Sequence, residues 1–495
     1  MPKFIFLWTD IFIFFLVLAT ALYAINVWRS MSLRAAWSSV GRTPSAMCAA
    51  VVLAGFVLIG VLDSVHYRPL LPAAPGVVGG SPVYSPVLRS ALDDLFASTR
   101  FSQPENTYSA PLAIRQFTKE TELIDGKPQR DYPRLKHAGV RLHDDADRDS
   151  DIAQRFFGGV AAGFVAMAFG ALLLTLCCRT RGDSLRQAFS VWWRGESNIP
   201  WRPMWITFSV VALITGASIA LAGDYHVLGT DRTGRDVLWQ ALKSVRTALV
   251  IGTLTTIAML PPALIFGISA GYFKGRIDDV IQYIYTTLTS IPGVLLIAAC
   301  VLMMQVYIDN NPGLFDTVAA RADLRLFLLC LILGLTGWAG LCRLLRAETL
   351  KLRELEYIQA ARAFGVGHWR IMRRHLLPNV MHIVLITLVL EFSGLVLYEA
   401  VLSYLGIGVD PSTPSFGTMI DAARLEMSRD PMIWWNLLAA FIFMLALVLS
   451  ANIFADAVQE AFDPRTRKFR PRRAASSRLA GPVKQTTGTG VDNGR

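Results

Sequence analysis

Residues able to do chemistry gather in four places along this 495-residue chain. The first is EYIQAARAFGVGHWRIMRRHLLPN, Glu356 to Asn379, with four arginines, two histidines and a glutamate between two apolar runs. The second is HVLGTDRTGRDVL, His226 to Leu238, where Asp231, Arg232, Arg235 and Asp236 stand beside Gly229, Thr230 and Gly234. The third is the acidic run HDDADRDSD at 143–151, and the fourth is Glu391, alone inside an apolar run. None makes a catalytic constellation. The sequence has no G-x-x-x-x-G-K-[ST] loop, no H-E-x-x-H and no G-x-S-x-G, and its Gly-Lys pair, Gly126-Lys127, lies in a polar stretch. The chain therefore binds no nucleotide through a P-loop, and no catalytic residue is assigned. The acidic run lacks the glycine and glutamate of an EF-hand loop, so a solvated acidic loop is expected there and no metal site.

The first stretch can dock a partner. Good helix formers run from Glu356 to Phe364. Gly365 and Gly367 can supply a positive φ that ends one helix and redirects the chain. His368 to Leu377 can form a second helix, and Pro378 suits the first turn of the next span. Ala360 and Ala361 would allow close approach, and Tyr357 and Phe364 could fill pockets. So short a helix is marginal in water and calls for a partner. A basic loop resting on lipid headgroups is the other reading. The second stretch reads from its residues as a turn with locally paired charges. A carboxylate at Glu391 is costly in lipid unless it meets water or a partner. It faces a translocation path, pairs across a subunit interface, or is a protonated, satisfied core carboxyl.

The elements that position these residues are membrane helices. Hydrophobic residues make up 53% of the chain and charged residues 17%, with mean hydropathy +0.43, which is too apolar for an ordinary soluble domain. The expectation is an all-α polytopic membrane protein with about nine spans, near 4–27, 45–63, 157–178, 205–222, 246–270, 280–306, 325–345, 380–405 and 434–457. The first run is read as a retained span, since it is long for a signal peptide and lacks a clear cleavage site. Pro292-Gly293 should kink the sixth span. The net charge of +11 fits basic loops better than nucleic acid, because no nucleic-acid motif accompanies it. Basic residues concentrate at 28–44, 179–204, 356–379 and after Asp463. Nine spans put all four on one side, the cytoplasm, with the N-terminus and residues 64–153 outside and the C-terminus inside. The six cysteines give neither zinc spacing nor a disulfide framework. Residues 114–132 could form a strand and turn around Asp125-Gly126. The segment SLRQAFSVWW could lie flat at the interface or simply connect two spans. The basic tail 467–495 reads as disordered.

At QAARAFG, nine residues and HLLP, the chain resembles the cytoplasmic loop motif of ABC-importer permeases. Ala360, Ala361, Gly365, Leu377 and Pro378 match that motif, with Gln359 in place of its glutamate and His375 in place of its isoleucine. Both departures are associated with the dipeptide, oligopeptide and nickel branch. HVLGTDRTGRDVL is similar to that branch's signature, with Gly229, Thr230, Asp231, Gly234, Arg235 and Asp236 as its residues. AGYFKGRIDDVI, SIPGVLLI, EAVLSYLGIGVDPSTPSFGTMI and AFDPR resemble further family segments. The resemblance covers roughly 205–466.

It implies a six-helix permease core at 205–466 and a coupling helix at 356–378 that includes Glu356 and docks an ATPase. Two N-terminal helices at 1–63, an insertion of about 90 residues at 64–153, and a helix and linker at 154–204 would precede the core. Residues 35–62 also resemble the family's usual first span, in which case two added spans carry the chain back outside after the insertion. Glu391 and Glu399 are candidates for the translocation path. The resemblance further implies a bacterial inner-membrane location, a second permease, two ATPase subunits carrying ATP and magnesium, and an extracytoplasmic solute-binding protein. No cofactor is expected on this chain. Di- or oligopeptides lead as substrates, with nickel chelates or peptide-like antibiotics as alternatives. A secondary transporter and a membrane scaffold are the rival classes. The former should show several intramembrane charges, and Glu391 is the main one legible in the sequence.

Overall fold

The computed structural model describes residues 3–71, 84–178 except 98, 102, 125–126 and 143, and 184–462 except 196 and 316. Strand β1 (Lys3–Phe4) leads into helix α1 (Trp8–Arg29), then α2 (Met31–Val40) and α3 (Pro44–Asp63). The insertion holds β2 (His66–Arg68), β3 (Arg89–Ser90), α4 (Ala91–Leu95), β4 (Glu120–Ile124) and β5 (Lys127–Asp131). Helices α5 (Arg148–Cys178), α6 (Leu185–Trp193) and α7 (Trp201–Ala222) follow. Next come α8 (Val237–Phe273), α9 (Arg276–Ser290), α10 (Gly293–Asn310), α11 (Val318–Gly337) and α12 (Ala339–Arg353). The chain closes with α13 (Glu356–Ala363), α14 (His368–Ile371), α15 (Leu377–Tyr404), α16 (Phe416–Glu426) and α17 (Trp435–Phe462).

Among the described residues, nine helices are long and apolar enough to cross a bilayer, and each overlaps one of the expected spans. The sixth differs in detail. The chain breaks at Ile291-Pro292, leaving amphipathic α9 separate from the apolar α10. Proline cannot donate to the turn before it, so a pair of helices replaces the expected kink. Helix α8 instead runs straight through Pro261-Pro262. All six cysteines are free thiols. The acidic run forms a 3-10 turn that leads into α5, and no group of metal-ligating side chains occurs among the described residues. β4 and β5 form the expected antiparallel hairpin, with the turn at 125–126 outside the described residues. The tail 467–495 also lies outside them.

Helix α8 is the axis of the bundle. Its 37 residues extend about 55 Å, well beyond a hydrocarbon core of about 30 Å. Helices α3, α11, α12, α15 and α17 pack around it. Glycines permit the closest approaches, with Gly267 and Gly271 of α8 against Cys342 and Arg346 of α12, and Gly334 of α11 against Thr255. Helices α5 and α7 form a separate pair. A Cβ on Gly159 would lie 2.5 Å from the Gly216 carbonyl, so these backbones touch directly. Helix α7 packs along α5 and α3, and only its last turn reaches the base of α8 at Leu238 and Trp239. By packing, α3 belongs to the ring around α8, while α5 and α7 pair outside it. A core counted from residue 205 includes α7, which stands outside the ring around α8.

Candidate functional site

The elbow at 356–378 is built from its own core outward. Ile358, Ile371 and Leu376 are fully buried in a cluster with Tyr272, Leu345 and Val380. The Tyr272 hydroxyl lies 2.8 Å from His368 Nδ1, and Lys274 pairs with Glu354 at 2.8 Å. This anchoring corrects the expectation that so short a helix needs a partner to hold it. Gly365 has φ +72°, ending α13 as expected, but Gly367 has φ −57° and caps α14 in an ordinary conformation. The chain is helical from His368 through Tyr404, with a π turn at Met372–Leu376 just before Pro378. The wider turn accommodates a proline ring that lacks an N–H, so the span begins at His368 and is not restarted at Pro378.

The outward face of the elbow is open. Glu356, Gln359, Ala360, Gly365 and Pro378 are exposed, while Ala361 and Leu377 are half-buried against the core. Phe364 is 88% exposed and Trp369 is 69% exposed. A hollow lies beside Gln359, Arg362, Gly365 and His368. An exposed aromatic, a left-handed glycine and a neighbouring hollow form a shape ready to be covered.

The signature loop has the opposite character. It is not a solvated turn, because the insertion seals it. The Glu105 N–H donates to the Gly234 carbonyl at 2.9 Å, and the Thr230 N–H donates to the Ser109 carbonyl at 3.1 Å. The Ser109 N–H donates to Thr230 Oγ1 at 2.7 Å, and the Trp435 indole donates to the Thr230 carbonyl at 3.0 Å. Asp231 accepts from the N–H groups of Thr233 and Arg235 and from Gln240. Gly229 and Gly234 have φ +71° and +73°, and a Cβ on Gly234 would lie 1.9 Å from the Glu105 carbonyl.

Behind the loop, Asp236 caps α8 through the Trp239 N–H and meets His226 Nδ1 at 2.8 Å. The other ring nitrogen of His226 lies 3.5 Å from Glu105. Burial opposes a charge on this imidazole, but the carboxylates of Asp236 and Glu105 outweigh it and raise its pKa to about 9. Burial likewise works against the Glu105 carboxylate. His226 and the backbone N–H groups of Lys136 and His137 overcome that and hold it below its usual range.

The remaining candidates separate. Glu391 is half-buried on α15, near the exposed Leu390, Gly394 and Leu397, and no pairing partner occurs for it among the described residues. Glu399 is buried. It accepts from Ser403 at 2.7 Å and from Ser415 at 2.9 Å, tying α15 to the start of α16. These two hydrogen bonds make Glu399 a structural tie between the two helices.

A charged network at the insertion end of the spans escaped the sequence reading. Arg246 donates to Asp10 at 2.6 Å and to Thr9 at 2.7 Å, and lies 3.6 Å from Asp323. Lys243 pairs with Asp93 at 2.8 Å and lies 3.8 Å from Asp63. Glu391 is thus not the main ionisable residue of the spans. Asp10, Asp63, Lys243, Arg246 and Asp323 stand near the ends of apolar runs, where sequence alone shows no partner.

The geometry of core and elbow agrees with what comparison finds. Residues 263–468 match the family described as binding-protein-dependent transport system inner membrane component. The dipeptide transport system permease protein DppC of Bacillus subtilis is 30% identical over 244 residues, covering 49% of this chain and 70% of that protein. The peptidoglycan transport system permease protein YejE of Agrobacterium fabrum is 36% identical over 246 residues, covering 49% and 58%. The oligopeptide transport system permease protein OppC of Mycobacterium tuberculosis is 31% identical over 268 residues, covering 54% and 86%. Each similarity leaves about half of this chain uncovered. The chain belongs to the inner-membrane permeases of ABC importers, in the branch whose relatives are dipeptide and oligopeptide permeases.

Proposed function

We propose that this chain is one of two permease subunits of an ATP-driven importer of di- or oligopeptides. Two separate ATPase subunits carry ATP and magnesium and dock on the elbow at 356–378. A solute-binding protein delivers substrate on the opposite side, where the insertion lies. The basic loops face the cytoplasm, so the N-terminus is outside and the C-terminus inside. Closure of the ATPases moves the paired elbows, and the spans rock between outward-open and inward-open states. Glu391, half-buried on α15 and without a partner among the described residues, faces the second permease or the path between the two.

The observation that carries this reading is the elbow, anchored by Ile358 and Ile371 and open at Gln359, Ala360, Phe364 and Gly365. Purification from native membranes in mild detergent tests it, comparing wild type with Gly365→Asp. A Cβ at Gly365 meets no atom of this chain within 4 Å, and aspartate tolerates a left-handed backbone better than most residues. The variant should therefore fold and keep the second permease while losing the ATPases. ATPases retained on the variant, or never present on the wild type, would remove the docking role.

A further inference from the structure

An open cleft of about 1100 Å³ lies at the insertion end of α8. Its walls come from α4 and the segment after it, the first turns of α8, the start of α11, and residues 412–414. Trp239 and Phe101, stacked at 5.2 Å, form an apolar side. The charges around this cleft are unevenly placed. Behind and beneath it lie Asp10, Asp63, Asp93 and Asp323, against Lys243, Arg246 and His66. Four carboxylates against two fixed cations leave an excess of negative charge, even with the imidazole protonated. Burial works against ionised Asp93, but Lys243 prevails and holds its carboxyl below the usual range. Arg89 and Arg235 also line the cleft, and both are exposed. The buried floor is therefore negative and the exposed mouth positive.

We propose that this cleft is a binding site for a short zwitterionic peptide, with its ammonium group toward Asp93 and Asp63 and its carboxylate toward Arg89 and Arg235. The volume suits a ligand of a few residues. The separated charges select for both free ends at once. The site would receive substrate within this chain on the insertion side, before the path between two permeases. The proposal rests on the peptide reading for its ligand class.

Equilibrium binding of radiolabelled trialanine to the full chain in nanodiscs, without any solute-binding protein, tests it. Trialanine should bind, while N-acetyl-trialanine and trialanine amide should each compete at least tenfold more weakly. Asp93→Asn should abolish the discrimination against the acetylated peptide but keep that against the amide. Arg235→Gln should do the reverse. The blocked peptides test the wild-type protein directly, so an unstable variant leaves the question answerable. Equal competition by free and blocked peptides, or no binding at all, would overturn the site. Peptide uptake by the whole assembly, measured alongside, separates the two ideas. Uptake without binding to this chain removes only the cleft, whereas an assembly that imports no peptide removes the substrate reading.

Discussion

The two ends of α8 are finished in opposite ways. At the insertion end, Glu105, Thr107 and Ser109 cover the signature loop, and His226 is buried between two carboxylates. At the other end, Tyr272 holds an elbow whose outer face carries Phe364 and Trp369 in the open. Each end contains a left-handed glycine, Gly234 or Gly365, with nearly the same φ. Around Gly234 there is no room for a methyl group, while around Gly365 there is nothing. The difference teaches how to separate a fold constraint from a docking constraint. A glycine crowded by its own chain is explained by that chain, and one that is left-handed in open space still has room for a partner.

Substituting alanine at these two glycines gives the largest contrast. Gly234→Ala drives a Cβ into the Glu105 carbonyl and strains the backbone as well, costing about 4 kcal/mol. Gly365→Ala meets only the backbone strain, about 1 kcal/mol. Thermal midpoints of the purified proteins, with limited proteolysis of the insertion, should show the first variant strongly destabilised and its insertion cleaved. Equal losses at both sites would erase the distinction between the two ends.

The sealed end should also loosen in alkali. The pKa of His226 is about 9 when folded, above an unfolded value near 6.5. The ion pairs therefore stabilise the fold fully below about pH 6.5, and the gain disappears as pH rises through about 9. The shift corresponds to about 3 kcal/mol. Protease resistance of the insertion should fall between pH 7 and pH 10 in the wild type. In His226→Gln it should be low at every pH, because two buried carboxylates lose their cation. A flat wild-type profile would show that the imidazole carries no charge in the folded protein.

Much of this architecture was legible in the sequence, and the reason is physical. Apolar runs of bilayer length report spans whatever their neighbours, so all nine could be placed. Gly365 and Pro378 marked the elbow through backbone chemistry that is local. What could not be read was long-range pairing. Glu105 and His226 stand 121 positions apart, and Asp10 and Arg246 stand 236 apart. Nothing in HVLGTDRTGRDVL indicates that a carboxylate from the insertion closes over it. Glu399 shows the same limit, since Ser403 lies one turn on along α15 but Ser415 stands at the start of α16, and the chain between gives no cue. The π turn at 372–376 was missed because Pro378 alone suggests a start, and only the backbone shows the helix already running.

The elbow's inner face offers a smaller test. Ile358 is fully buried against the core. Ile358→Val removes one methyl group, which should cost about 1 kcal/mol and lower the thermal midpoint by a few degrees. Because the outward face is unchanged, the ATPases should still be recovered with the variant. Loss of the ATPases with an unshifted midpoint would mean that Ile358 serves the partner and not the core.

Phe364 should show the smallest change in stability and the clearest change in assembly. Its ring is 88% exposed, so truncation to alanine removes almost no packing within this chain. Replacing an exposed aromatic usually shifts stability by less than about 0.5 kcal/mol. A ring that fills a partner's pocket is another matter, since truncating such an anchor commonly costs 2 kcal/mol or more of binding. Phe364→Ala should therefore keep the wild-type midpoint while the recovered ATPases fall by at least about tenfold. A lowered midpoint would mean that the ring belongs to the fold. An unchanged midpoint with full ATPase recovery would mean that the open end of α8 is covered through other residues, and the hollow beside Gln359 and Arg362 would then be the surface to substitute.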